Sequence, residues 1–205
     1  MNILHIDSSV TGGNSVSRRL TRSIVHEWQR AHPDAAVTYR DLAAEAPDHL
    51  SSEILGARFA PADQHSAAQR EQMRLDEELL EEFLAADLIV LGAPMYNFSV
   101  PSQLKAWIDR VLVAGRTFRY TADGPVGLVG GKKVVIASTR GGIYSEADAA
   151  KVMDHQEAYL RAALGFIGLT DVSIIRAEGV NMSDRRDRAI ASAKDQIHEL
   201  LGSVA

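Results

Sequence analysis

The stretch that decides the fold runs from Asp87 to Arg110 and reads DLIVLGAPMYNFSVPSQLKAWIDR. Its run Leu88–Leu91 is short and apolar on both faces, as a central strand of a parallel sheet must be when helices cover both sides. Pro94 ends the strand, and Pro101 sits where a helix would begin, with Ser99 as a candidate cap. One apolar helical face then follows at the i, i+3, i+4 spacing: Leu104, Trp107, Ile108, Val111 and Leu112.

The loop between this strand and this helix carries two aromatic residues, Tyr96 and Phe98. In open α/β sheets, the carboxyl end of a central strand is where flat ligands bind. Aromatic loops that only pack against the rest of the chain are about as common as aromatic-lined pockets. The loop by itself therefore leaves a ligand site and a packing role equally open.

Composition sets the broad class of the protein. The chain has 205 residues, of which 46% are hydrophobic, enough for one domain with a sizeable core. A formal net charge of −5 argues against non-specific nucleic-acid binding. Cysteine is absent, which excludes disulfides and cysteine nucleophiles and suits a reducing cytoplasm. With no signal-peptide pattern and no run near the roughly 18 apolar residues of a membrane span, we expect one soluble, cytoplasmic domain over residues 1–205 with no membrane partner.

Four more strands are predicted around the central one. They are Met1–Asp7, Ala36–Asp41, Lys132–Ser138 and Val172–Arg176. The predicted helices are Arg18–Gln29, Ser66–Ala86, Glu146–Ile167 with a break, and Asp184–Leu201, and the further candidate caps are Ser15, Ser145 and Ser183. A hairpin is predicted within Gly115–Gly127. The connection Ala43–Gln64, with a short helix near Ser51–Ala57, is too long for a plain loop and is expected to be functional or an interface.

Repeated strand–loop–helix units are typical of a doubly wound parallel sheet, and we predict five strands in the order 2-1-3-4-5 with helices on both faces. In that order the first, third and fourth strands are neighbours. The loops at their carboxyl ends, Ser8–Ser17, Pro94–Phe98 and Thr139–Gly142, are therefore expected to meet at one edge of the sheet.

The first of these loops reads SSVTGGNSVS and leads into a helix, whose free N–H groups and dipole suit a phosphate. Ser9, Ser15 and Ser17 add more hydroxyl groups than one helix cap needs, although a simple capped loop is the alternative. The loop is not a Walker A motif, and the chain has neither G-x-G-x-x-G nor G-x-S-x-G. Serine contacts without a magnesium ligand favour a tightly held monophosphate.

The third loop contains two adjacent glycines, Gly141 and Gly142, which let backbone approach a ligand closely and leave its N–H groups unblocked. A plain turn is the alternative interpretation. Taken together, the three loops offer phosphate donors, aromatic and amide contacts, and bare backbone N–H groups. Such a site suits a flat heterocycle that carries a phosphate, and FMN fits it better than any other common cofactor.

With these motifs in place, the sequence resembles the flavodoxin-like family of FMN-dependent NADH:quinone oxidoreductases and azoreductases over essentially its whole length. The matching pieces are Ser9, Asn14–Ser17, Pro94–Phe98, Pro101-x-x-Leu104-Lys105, Ala114–Phe118 and Arg140–Gly142. Two positions depart from the commonest pattern of the family: Val16, where Gln is frequent, and Thr139, where Ser is frequent. Backbone contacts are expected at both positions, so the departures should cost little binding.

The resemblance implies a homodimer with FMN near the subunit interface, with NADH or NADPH as electron donor and quinones or aromatic azo compounds as acceptors. Donor and acceptor would use the same face in turn, a ping-pong mechanism. The predicted cofactor-binding residues are Ser9, Ser15, Val16, Ser17, Pro94, Met95, Tyr96, Asn97, Phe98, Thr139, Arg140, Gly141 and Gly142.

The flavin carries the hydride chemistry in such an enzyme, so we predict no catalytic side chain and no metal. Backbone N–H groups of Asn97 and Gly142 are expected to stabilise the negative charge of the reduced ring, which favours two-electron transfer. The alternative is a flavodoxin-like electron carrier or an FMN-binding module without a substrate of its own. A scaffold that has lost activity is disfavoured because all three loops are intact.

Overall fold

Strands and helices alternate along the chain, and the computed structural model describes them over residues 1–202. The strands are β1 (Asn2–Asp7), β2 (Ala36–Asp41), β3 (Leu88–Pro94), β4 (Phe118–Thr121), β5 (Gly124–Gly127), β6 (Lys133–Arg140) and β7 (Val172–Glu178). The helices are α1 (Val16–Ala31), α2 (Ser52–Phe59), α3 (Ala67–Ala85), α4 (Ser102–Val111), α5 (Asp148–Lys151), α6 (Gln156–Phe166) and α7 (Arg186–Gly202).

Five strands form one parallel sheet in the order β2-β1-β3-β6-β7. The predicted order 2-1-3-4-5 is confirmed, because β4 and β5 pair only with each other as a separate antiparallel hairpin. Across the middle of the sheet, Ile6 is opposite Leu91, and Leu91 is opposite Ile136. These side chains share one face and enter one core.

The sequence of the central strand β3 is apolar on both faces because each face packs into a core of its own. Ile89 and Leu91 point into the core that α3, α4 and α6 cover, together with Trp107. Leu88 and Val90 point into the opposite core, which α1 and α7 cover. All seven residues of β3 are buried. The strand is thus placed so that the loop after it emerges from the middle of the sheet edge.

Only some of the helix caps predicted from the sequence are present in the structure. Ser15 is the N-cap of α1, and its hydroxyl accepts the N–H of Arg18 at 3.2 Å, as predicted. Ser99 does not cap α4, because the helix begins at Ser102 with Pro101 at its N-cap position, and Ser99 lies in the preceding turn. Ser145 does not cap a helix either and donates its hydroxyl to Glu178.

Two more helix boundaries differ from the prediction. The last helix begins at Arg186 rather than Asp184, which leaves Ser183 outside its first turn. The short helix of the long connection is Ser52–Phe59, and Ser51 caps it by accepting the N–H of Ile54 at 3.2 Å. The break predicted within Glu146–Ile167 is confirmed, because α5 and α6 are separate helices.

The connection Ala43–Gln64 is anchored to α3 and α4 by buried charges. Arg110, which is fully buried, donates to Asp76 at 2.5 Å and to the carbonyl of Asp48 at 2.6 Å. Arg58 donates to the other oxygen of Asp76 at 3.0 Å. One carboxylate thus fixes both arginines, and the connection is held firmly while its apolar side chains stay exposed: Leu50, Leu55 and Phe59. Among the helices of residues 1–202, none has the length and apolar character needed to cross a membrane.

Candidate cofactor-binding site

The loop after β1 leads directly into the amino terminus of α1. Ser8 ties the start of the loop to the sheet by donating its hydroxyl to the carbonyl of Gly92 at 2.6 Å. With Ser15 as the cap, the N–H groups of Val16 and Ser17 have no acceptor within residues 1–202. Free N–H groups at the start of a helix, at the positive end of its dipole, favour an anion.

Hydroxyl groups from two loops converge beside these N–H groups. Ser9 Oγ lies 3.1 Å from Tyr96 Oη and 3.0 Å from Thr11 Oγ1. Ser15 Oγ lies 3.0 Å from Ser17 Oγ. Ser9, Ser15 and Ser17 are all buried, so their hydroxyls are held in place by one another and by Tyr96. Hydroxyls fixed in this way can accept or donate hydrogen bonds to a ligand without first being ordered.

The loop after β3 makes a tight turn whose two central residues have positive φ. The N–H of Tyr96 donates to the carbonyl of Ser99 at 3.0 Å, and the N–H of Ser99 donates back to Tyr96 at 3.1 Å. Between them, Asn97 has φ 48° and Phe98 has φ 72°. Positive φ at both central residues defines a mirror-image turn that glycine and asparagine prefer. For Phe98 it costs on the order of 1–3 kcal/mol, a strain typical of functional sites.

The loop after β6 packs against the segment that follows β7. A side chain at Gly141 would place its Cβ 2.6 Å from Asn181 Nδ2, so any larger residue would require the Asn181 side chain to move. The carbonyl of Gly142 accepts the N–H of Gly179 at 2.8 Å. Within residues 1–202, the N–H groups of Gly142 and Asn97 have no acceptor of their own. Both predicted backbone donors are therefore free to bind a ligand.

These loops enclose a cavity of about 290 Å³. It is lined by Ser9, Thr11, Asn14, Ser15, Val16, Pro94, Met95, Tyr96, Thr139, Gly141, Val180, Asn181 and Arg186. A second pocket of about 570 Å³ lies on the other side of Tyr96 and is lined also by Val10, Asn97, Ser99, Val100, Pro101, Ser102, Gln103, Lys105 and Tyr159. The three predicted loops thus meet at one edge of the sheet, and Tyr96 joins the two spaces.

Most of the predicted binding residues line these two spaces, and four do not. Ser17 stands behind Ser15. Phe98 is 44% exposed, and its ring centroid is 6.4 Å from that of Tyr144. Gly142 lies beside the same tyrosine. The fourth is Arg140.

The side chain of Arg140 points away from the cavity. It is 1% exposed and forms ion pairs with Asp154 at 2.8 Å, Glu157 at 2.6 Å and Glu178 at 3.0 Å. Burial alone would raise the pKa of Glu178, but hydrogen bonds from Ser145, from the backbone and from Arg140 hold that pKa below its usual value. The Arg140 side chain therefore braces the loop from behind, and only the backbone of Arg140 is left to face a cofactor.

Sequence reasoning missed the contribution of the segment after β7. Asn181 and Arg186 line the cavity, and Arg186 donates to the carbonyl of Val180 at 2.8 Å. The predicted strand order places the end of the fifth strand beside the loop of the fourth. That order, together with an asparagine and an arginine just past the strand, was the signal that would have found them.

Comparison with known proteins places this geometry in a family. Residues 1–201 match a family model described as a flavodoxin-like fold. The chain is 57% identical to an FMN-dependent NADH:quinone oxidoreductase of Azospirillum brasilense, with 100% of both chains covered. It is 56% identical to a protein of the same name from Laribacter hongkongensis, covering 98% of this chain and 100% of that one.

Among solved structures, an azoreductase from Bacillus anthracis superposes with a TM-score of 0.88 at 28% sequence identity, and the match covers 97% of each chain. Identity above one half over the full length and a matching fold agree. The chain belongs to the flavodoxin-like family of FMN-dependent NADH:quinone oxidoreductases.

Proposed function

We propose that the chain binds FMN where the three loops meet, takes hydride from NADH or NADPH, and reduces quinones and aromatic azo compounds by a ping-pong mechanism. The observation that carries the proposal is the convergence of fixed hydroxyls and free N–H groups at one end of α1, next to a turn with a free N–H of its own. The names of the relatives, as quinone oxidoreductases and as an azoreductase, support the two classes of acceptor.

The residues fit a flavin nucleotide in their chemistry. Ser9, Ser15, Val16 and Ser17 would hold the phosphate, since their hydroxyls and N–H groups favour an anion and Arg186 adds a positive charge at the rim. The ring would be held by the loops Pro94–Phe98 and Thr139–Gly142, of which Arg140 takes part through its backbone alone. Gly141 leaves room for close approach, because any larger residue would meet Asn181.

When bound, FMN would supply the group that accepts and returns hydride. The task of the protein is to bind, to orient and to stabilise charge. The N–H groups of Asn97 and Gly142 would donate to the negative charge that reduction creates, and they need no rearrangement because the mirror-image turn and the Gly179 contact already fix them. No side chain of the site is required as a general base, because hydride transfer needs none.

We further propose that the whole chain acts as one cytoplasmic domain and works as a homodimer. The exposed apolar side chains Leu55 and Phe59 on the anchored connection support this, and Phe59 is 82% exposed. Phe98 at the tip of the turn is also exposed. Apolar groups fixed on a rigid surface favour association with a second copy, which would bury them beside the cofactor.

The test is to purify the protein, release and identify its flavin, and follow NADH oxidation with and without a quinone. Bound FMN with quinone-dependent NADH oxidation is the expected result. Bound FMN that NADH does not reduce would favour the electron-carrier alternative. A protein that binds no FMN when it is supplied would contradict the proposal as a whole.

A further inference from the structure

We infer that Arg18 is a positioning residue for the phosphate end of the site, an inference that rests on the proposed function. Arg18 lies in the first turn of α1, and only 8% of it is exposed. It does not line the cavity. Its contacts nevertheless reach two residues of the loop Ser8–Ser17, which we call the phosphate loop, and the end of β2.

The guanidinium group holds the loop by its backbone. Arg18 Nε and Nη2 donate to the carbonyl of Ser9 at 3.2 and 2.8 Å. On its other side the same group donates to both oxygens of Asp41, each at 2.6 Å. The backbone N–H of Arg18 donates to the Ser15 hydroxyl at 3.2 Å. One residue therefore links Ser9, the helix cap Ser15 and the end of β2.

The peptide that follows Ser9 is fixed from both sides. Arg18 holds its carbonyl, and the N–H of Val10 donates to Tyr96 Oη at 3.3 Å. The Ser9 hydroxyl, which lies in the cavity, contacts the same tyrosine oxygen at 3.1 Å. A planar peptide held at both ends cannot rotate, so the direction of the Ser9 side chain is set by Arg18 and Tyr96 together.

The surrounding charges show that Arg18 does not act by attracting the phosphate. Asp41 pairs with it directly, and Asp7 Oδ2 lies 3.7 Å from its Nη1. The hydrogen bonds from Arg18 outweigh the effect of burial and keep the pKa of Asp41 below its usual value, so this carboxylate stays charged. The other groups near this cluster are Tyr39, Thr21 and His5, whose Nε2 is 3.6 Å from Asp7. Arg22 also lies close, since its Nε donates to the carbonyl of Arg18 at 3.2 Å.

Two carboxylates thus face the guanidinium of Arg18, so its charge is already balanced by its own partners. The effect of Arg18 must come from geometry, that is, from a planar fork that holds two acceptors at once. A lysine would keep the charge but has one nitrogen and cannot reproduce the fork. This difference makes the inference testable with a substitution that conserves charge.

The test compares R18K with R40K in binding titrations of FMN and of riboflavin, which lacks the phosphate. Arg40 is a matched control, since it is a half-buried arginine that forks between Glu78 and Glu82 but touches no loop of the site. Loss of a hydrogen bond that orders a phosphate contact should weaken FMN binding by R18K about tenfold and riboflavin binding by less than about threefold. R40K should leave the ratio of the two affinities unchanged.

Hydrogen exchange provides a measurement that needs no flavin. In R18K the amides of residues 10–14 should exchange faster than in the wild type, whereas in R40K they should not. If R18K does not fold, D41N replaces it in the same titrations. This variant keeps the arginine but removes the carboxylate that orients it, so it too should lower the affinity for FMN relative to riboflavin.

Each outcome has a distinct meaning. A wild-type protein that binds FMN, with an R18K variant whose FMN-to-riboflavin ratio is unchanged, would overturn this inference alone. Full retention of FMN affinity in R18K would show that charge, and not the fork, is what matters. A wild-type protein that binds neither flavin would overturn the proposed function, and this inference with it.

Discussion

Tyr96 and Ser9 stand 87 positions apart in the sequence, yet their side-chain oxygens lie 3.1 Å from each other. The contact joins the loop after β1 to the loop after β3, the two central neighbours of the sheet. It also places one phenol between the hydroxyl-lined cavity and the larger pocket. Tyr96 therefore links the part of the site that favours a phosphate to the part with the strained aromatic turn.

Replacing Tyr96 by Phe should weaken FMN binding severalfold and leave the fold intact. The change removes the oxygen that contacts Ser9 and accepts the N–H of Val10, and hydrogen bonds of this kind contribute about 0.5–1.5 kcal/mol each. Titration of the flavin-free protein with FMN measures the effect. The control is S23A, which removes a hydroxyl that bonds only within α1, to the carbonyl of Arg19. Equal affinities for Y96F and wild type would contradict this role.

Replacing Ser15 by Asp should weaken the binding of the phosphate group more than the binding of the rest of the ligand. Aspartate is as good a helix cap as serine, so α1 should keep its first turn. Its negative charge would repel the phosphate, and FMN binding should fall by at least about tenfold more than riboflavin binding. S51D is the control, since Ser51 caps α2 in the same way away from the site. Equal weakening of both ligands by S15D would argue against a phosphate at this helix.

Replacing Gly127 by Ala should destabilise the protein by forcing the β4–β5 hairpin away from the end of α6. A Cβ at this position would lie 2.2 Å from Gly168 N and 2.2 Å from the carbonyl carbon of Ile167, which are backbone atoms. Overpacking of this kind costs about 1–3 kcal/mol. Thermal unfolding should show a clearly lower Tm for G127A. G130A, whose Cβ would meet its nearest neighbour at an ordinary 3.6 Å, should change Tm little.

Glu157 should make the stability of the protein depend on pH in the acid range. Burial alone would raise its pKa, but hydrogen bonds from Arg176 and Ser138 and the charge of Arg140 outweigh burial and hold the pKa below its usual 4.5. A carboxyl group with a lowered pKa in the folded state stabilises the fold above about pH 4.5, and that contribution is lost as the pH falls through the folded value.

The variant E157Q should accordingly be less stable than the wild type near pH 7, by about 1–3 kcal/mol, and should lose less stability on acidification. Urea unfolding at a series of pH values measures both effects. E45Q is the control. The Glu45 side chain is 79% exposed, and its nearest carboxylate oxygen is 3.7 Å from Arg40, so this ion pair is too weak to contribute much stability. Parallel curves for E157Q and wild type would refute the assignment.

Replacing Phe59 by Glu should weaken the proposed homodimer, because a charge would stand where an apolar surface is expected to be buried. Sedimentation of the wild type should give about twice the monomer mass of 22.3 kDa, and F59E should shift toward the monomer. V37E, on the edge strand β2, is the control and should leave the mass unchanged. A wild type that sediments as a monomer at micromolar concentration would contradict the dimer.

The local sequence pattern was enough to predict the order of the sheet and most of the residues that line the two pockets. The run Leu88–Leu91 was readable as a doubly covered strand because it is apolar at every position, and its side chains do enter two cores in alternation. The geometry of the loop Ser8–Ser17 was readable for a similar reason. Ser15 contacts groups within three positions of itself, so one short stretch of sequence contains both partners.

Contacts between distant segments were not readable in this way. The fork of Arg18 on Ser9 and Asp41 joins three segments, and the inward turn of Arg140 depends on acids that follow it by 14 to 38 positions. Ser145 failed as a cap because Glu178, a partner from another strand, competes for its hydroxyl. Side-chain partners of this kind are chosen by tertiary packing rather than by local preference.

The positive φ of Phe98 has a consequence for the stability of the protein. Glycine at that position would adopt the left-handed turn without strain, so it would raise stability by roughly 1 kcal/mol. It would also delete the ring that stands edge-on to Tyr144, with the two ring centroids 6.4 Å apart. The relaxed backbone and the aromatic contact thus call for different residues at one position, and this chain keeps the aromatic contact at the cost of a strained turn.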